Sequence, residues 1–82
     1  MNNDLVFLAD VKKIIRQQII KPDPMLPEEG YEKIVKRALI NSSLRFTTNN
    51  QIRFQHVKGG LSFSVTTDGR TLKSRIAFRK KF

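Results

Sequence analysis

The chain has 82 residues, a mass of 9.5 kDa and no cysteine, which allows one small domain with one core and excludes disulfides, thiol catalysis and Cys-ligated zinc. No apolar run approaches the length of a membrane span, and the longest, Leu5 to Ala9, is too short for a signal-peptide core, so a cytoplasmic location is expected. Sixteen Lys and Arg against seven Asp and Glu give a net charge of +9 and a pI near 10.5, which points to a polyanionic partner.

Residues 4–20 read as a helix. Asn3 or Asp4 can cap it, and Leu8, Val11, Ile15 and Ile19, with Phe7 and Ile14, form an apolar stripe at helical spacing. A short strand over Leu5–Leu8, with Asp10 capping a shorter helix, is the alternative. Residues 21–27 contain Pro22, Pro24 and Pro27 and cannot continue a helix, so they form a stiff connector. A second helix comes next. Pro27 suits its first turn, Glu28 and Glu29 face its positive end, and Tyr31, Ile34, Val35, Ala38 and Leu39 share a face. Glu29–Lys33 and Glu32–Lys36 are spaced as favourable pairs one turn apart. Asn41-Ser42-Ser43 ends the helix. The same three residues match a glycosylation triplet, but no secretory signal accompanies them.

Four units in the second half read Leu/Ile-x-Phe-polar: Leu44–Thr47, Ile52–Gln55, Leu61–Ser64 and Ile76–Arg79. Alternation of this kind predicts half-buried strands, over about 43–48, 51–58, 61–67 and 71–79. Asn49-Asn50, Gly59-Gly60 and Asp68-Gly69 supply the turns. An Asp68-Gly69 turn pairs Val65 with Leu72, Phe63 with Ser74 and Leu61 with Ile76. A turn centred on Gly59-Gly60 pairs Phe54 with Val65 and His56 with Phe63. The expected architecture is therefore α+β, a single domain over 1–82 with a helical half (1–41) packed on one face of a four-stranded antiparallel meander (42–82).

Charge divides along the same line. Residues 1–41 carry seven basic and six acidic residues, whereas residues 42–82 carry nine basic residues and a single acid, Asp68. Leu44, Phe46, Ile52, Phe54, Leu61, Phe63, Val65, Leu72, Ile76 and Phe78 fall on the covered face. The open face then receives Arg45, Thr47, Arg53, Gln55, Val57, Ser62, Ser64, Thr66, Lys73, Arg75, Ala77 and Arg79. Short hydroxyl residues lie between basic neighbours, an arrangement suited to phosphate oxygens. An open sheet face must be polar in any case, and edge Lys and Arg deter aggregation. A surface serving only those ends would mix its charges, however. The expected function is nucleic-acid binding of a regulatory kind through Arg45, Arg53, Lys58, Ser62, Ser64, Thr66, Arg70, Lys73, Arg75, Arg79, Lys80 and Lys81. If Arg45, Arg53, Lys73, Arg75 and Arg79 each meet a phosphate of B-DNA, log affinity falls with log salt at a slope of about −4.5.

The six Phe mostly fall on the covered face, with Tyr31 and Phe82 the free candidates, so base stacking is weakly supported and a duplex or structured RNA fits better. A winged helix-turn-helix using Lys33, Lys36 and Arg37 is a rival. A second class of function is an adaptor or inhibitor docking on an acidic protein, with Val57, Ala77, Phe82, Met25 and Leu26 as candidate anchors. A third is a metal-independent ribonuclease using the single histidine, His56, with Lys73 and Arg75. Without such chemistry, His56 is expected as a partly buried residue at the edge of the core. No metal-ligand spacing, phosphate loop or dinucleotide fingerprint occurs, so no cofactor is expected. Monomer and homodimer are both open, and no membrane partner is expected.

Overall fold

The apolar spacing along the first segment produces a continuous helix, α1 (Asn3–Gln18), rather than a strand leading into a shorter helix. Val11, Ile15 and Ile19 are buried, and Phe7, Leu8 and Ile14 pack beside them. The computed structural model describes residues 3–21, 23 and 25–78, so Pro22 and Pro24 of the expected stiff connector lie outside the described residues. Beyond the connector the chain forms α2 (Glu28–Ile40), then strands β1 (Gln51–Val57), β2 (Gly60–Thr67) and β3 (Arg70–Ala77). Pro27 is the extended N-cap residue of α2, with φ −60° and ψ 144°, and Asn41 is its C-cap. Tyr31, Val35 and Leu39 face the core, whereas Ile34, expected beside them, is 48% exposed.

The sheet is antiparallel with order β1-β2-β3, so the architecture is α+β with three strands and not four. Residues 43–48 form an irregular segment. Its side chains behave as the alternation demands, with Phe46 buried and Leu44 packed against the core. Its backbone does not. The Phe46 N–H donates to the Leu44 carbonyl at 2.8 Å, the Thr47 N–H to Asn50 Oδ1 at 2.8 Å and the Asn50 N–H to the Thr47 carbonyl at 3.0 Å. These local bonds satisfy groups that a ladder would otherwise need, which is the usual competition between Asn or Thr side chains and regular structure. Phe46 thus enters the core from a loop.

The second hairpin turns at Asp68 and Gly69, whose φ values of 52° and 77° match a two-residue turn with both residues left-handed. It pairs Val65 with Leu72, Phe63 with Ser74 and Leu61 with Ile76. The first hairpin is corrected by one position. Its turn residues are Lys58 and Gly59 (φ 81°), and Gly60 opens β2. A Cβ on Gly60 would stand 2.0 Å from the Ile76 carbonyl oxygen, so this glycine is required by the approach of β3. In consequence Phe54 pairs with Phe63 and His56 with Leu61. The partners slip by two residues, so every side chain keeps its expected face.

Both helices cover one face. α2 lies against β1, and α1 packs on α2 and reaches β3. The expected Glu29–Lys33 and Glu32–Lys36 pairs are not among the ion pairs of the described residues. Glu32 instead accepts the Phe54 N–H, on the outer edge of β1, at 3.0 Å. A bond from a backbone donor to a charged group contributes about 1.5–3 kcal/mol, against about 0.2–0.5 kcal/mol for an exposed pair one helical turn apart. Tyr31 fastens the connector. Its hydroxyl donates to the Asp23 carbonyl at 2.9 Å and accepts the Asp23 N–H. Among the described residues no helix is long and apolar enough to cross a membrane.

Phe46→Ala should destabilise the protein by about 3–5 kcal/mol, the cost of emptying a core site, although the residue lies outside any strand. Urea unfolding checks this as a lowered midpoint or, at this size, as loss of the cooperative transition. Thr48→Ala in the same loop should stay within about 0.5 kcal/mol.

Candidate functional site

The face of the sheet turned away from the helices is built by alternation alone. β1 contributes Gln51, Arg53, Gln55 and Val57; β2 contributes Ser62, Ser64 and Thr66; β3 contributes Thr71, Lys73, Arg75 and Ala77. Because β2 is the middle strand, its short side chains form a floor between longer ones. The register sets Arg53, Ser64 and Lys73 side by side in one row and Gln55, Ser62 and Arg75 in the next. Neighbouring strands are about 4.8 Å apart, so the flanking backbones are about 10 Å apart, and successive rows are about 6.7 Å apart along β2. Arg53, Gln55, Ser62, Ser64 and Lys73 line a shallow depression of about 410 Å³. Arg53, Lys73 and Arg75 are exposed, the serines half-buried. Among the described residues no acidic one stands on this face.

The other expected site residues separate into distinct groups. Arg45 is not on the sheet, because its segment is a loop; it lies 3.7 Å from Asp68 and remains largely exposed. Arg70 pairs with Thr67, which is buried, so alternation turns it toward the helix side. There it grips Asp4 with two guanidinium nitrogens, at 2.7 and 2.8 Å. This pair ties the first turn of α1 to the last hairpin, and Asp4, a candidate cap by its place in the sequence, serves instead as the anchor for Arg70. The hydrogen bonds from Arg70 hold the Asp4 carboxyl below its ordinary value, and the same contact raises the guanidinium of Arg70. Thr66 stands on the open face, but its hydroxyl accepts the Gln51 N–H at 2.9 Å and reaches the Gln51 carbonyl at 3.3 Å, so it closes the end of the ladder. Lys58 is exposed in the first turn. Arg79, Lys80, Lys81 and Phe82 lie outside the described residues.

His56 stands on the opposite face from Lys73 and Arg75. Its ring packs edge-on against Tyr31 at 5.6 Å, and Nε2–H donates to the Leu26 carbonyl at 3.3 Å. It fastens the connector, and the His56–Lys73–Arg75 constellation is not assembled.

One feature of the surface escaped the strand pattern. A groove of about 520 Å³ runs between α2 and the outer edge of β1, lined by Glu29, Glu32, Lys33, Lys36, Ile52 and Arg53. Arg53 borders both this groove and the open-face depression. Lys33 and Lys36, one helical turn apart, were the available signal, but their position beside β1 depends on tertiary packing.

Comparison with protein-family models, with curated proteins and with solved structures finds no match to this chain.

Asp4→Asn should lower the thermal midpoint at neutral pH. An acid whose folded value is depressed contributes stability that is present above its unfolded value, near 3.8, and lost as pH falls through the lower folded value. The gap between the native protein and the variant should therefore close over the acid range below about 3.8. Melting curves across that range check it.

Proposed function

We propose that the protein binds nucleic acid by gripping its phosphate backbone on the open face of the sheet. The observation carrying this reading is the face itself: Arg53, Lys73 and Arg75 around Ser62 and Ser64, with no acid among them. Concentrating like charges opposes folding through self-repulsion, and a polyanion relieves it. Arginine and lysine with small hydroxyl donors form a set that satisfies phosphate oxygens. Arg70, gripped by Asp4, is left out of the binding set, as is Arg45, which stands off the sheet on its loop.

A protein partner is the weaker reading. Docking on an acidic protein calls for apolar anchors at the centre of the surface, and Val57 and Ala77 stand together at one end of this face, flanking Gly60.

Counting only the three cations that the described residues place on this face, Arg53, Lys73 and Arg75, the slope of log affinity against log salt on duplex DNA should be about −2.7. Fluorescence polarisation over a salt series measures it. A double charge reversal, Lys73→Glu with Arg75→Glu, should weaken binding strongly while circular dichroism and the thermal midpoint stay near those of the native protein. Unchanged binding by the folded variant would overturn the reading.

A further inference from the structure

The two rows of the open face repeat one chemistry at a fixed step. In the first, Arg53 and Lys73 flank the Ser64 hydroxyl; in the second, Arg75 and the Gln55 amide flank Ser62. All of these side chains can donate hydrogen bonds, and none carries negative charge. Among the described residues the face also lacks a platform for bases. Phe54 and Phe63 are buried on the helix side, where their rings meet at 6.2 Å, and Tyr31 is buried with them. Recognition by stacking needs exposed rings, and the described residues place none among the cations. The step between rows, about 6.7 Å, is comparable with the distance between successive phosphates along one strand of a nucleic acid.

Resting on the proposal that this face binds nucleic acid, we infer that it is a rail for a single phosphodiester backbone running along β2. One phosphate is taken by Arg53, Ser64 and Lys73, and the next by Ser62 and Arg75 with Gln55 beside them. Bases and sugars face away from the sheet. Two consequences separate this arrangement from general attraction between a basic surface and a polyanion. Binding is indifferent to the bases, even to their removal. Arg53 and Lys73 are energetically coupled, because they share a phosphate, whereas Arg53 and Arg75 act on different phosphates and are independent.

The test measures the affinity of the full chain at low salt for three single strands of equal length: an ordinary oligonucleotide, an abasic one with an intact phosphate backbone, and one with a neutral methylphosphonate backbone. Arg53→Gln, Lys73→Gln and Arg75→Gln are compared alone and in pairs, with circular dichroism confirming folding. The rail requires the abasic strand to bind within about threefold of the ordinary one, since each lost stacking contact would cost about fivefold or more. It requires the neutral strand to fail. The Arg53–Lys73 double variant should lose less than the product of the two single losses, while the Arg53–Arg75 double variant should match its product within about twofold. Weakening of the abasic strand by more than tenfold, with the ordinary strand still dependent on the three cations, would overturn the rail and leave nucleic-acid binding standing. Products matched by both pairs would overturn the assignment of one phosphate to each row. Failure of every probe, or affinities untouched by all three substitutions, would overturn both readings.

Discussion

β2 is hydrogen-bonded on both sides, and its register against β1 and β3 is the constraint on which the rest depends. Its sequence alternates without exception from Leu61 to Val65: apolar residues toward the helices, serines away. A slip of one residue would put Ser62 and Ser64 into the core and turn Leu61, Phe63 and Val65 to solvent. Two tight turns resist that slip from both ends, one through Gly59 and the other through Asp68-Gly69. The close approach of Gly60 to Ile76 fixes the same end of the strand sterically. The registers that seal the core therefore also decide which cations stand beside which hydroxyls.

The distribution of acids completes the separation of faces. Glu32 is drawn to the outer edge of β1, where it caps the Phe54 N–H and obstructs pairing by another strand. Asp4 takes Arg70, and Asp68 lies near Arg45, so two of the basic residues of the second half are balanced at the hairpin end of the molecule. Arg53, Lys73 and Arg75 have no such partner among the described residues. The surplus charge of the second half is thus divided between two cations with an acid beside them and others, on the open face and in the first turn, without one among the described residues. That division needs tertiary structure, because Asp4 and Arg70 are 66 residues apart.

Much of this was legible in the sequence, for reasons that can be assigned residue by residue. The helices came from apolar spacing, and the second hairpin came from Asp68-Gly69, because that dipeptide selects one turn with one register. Faces were legible even where partners were not. Moving the first turn from Gly59-Gly60 to Lys58-Gly59 changes each pairing by two residues and preserves its parity. The strand expected over 43–48 failed because alternation reports burial and not hydrogen bonding. Leu44 and Phe46 obey the pattern from a loop whose polar groups bond locally. Arg70 and Thr66 were assigned to binding by charge and residue type, whereas their hydrogen bonds to Asp4 and Gln51 could be seen only in three dimensions.

The central claim is that the helix-free face of the sheet is the binding surface. Backbone amide chemical shifts tracked by NMR, as a short duplex is added at low salt, test it most directly. The account predicts that the largest changes cluster at Arg53, Ser62, Ser64, Lys73 and Arg75 and reverse when salt is raised. Changes centred on Lys33, Lys36 and Arg37 of α2, or on the Asp4–Arg70 end, would contradict it, as would a spectrum that does not move.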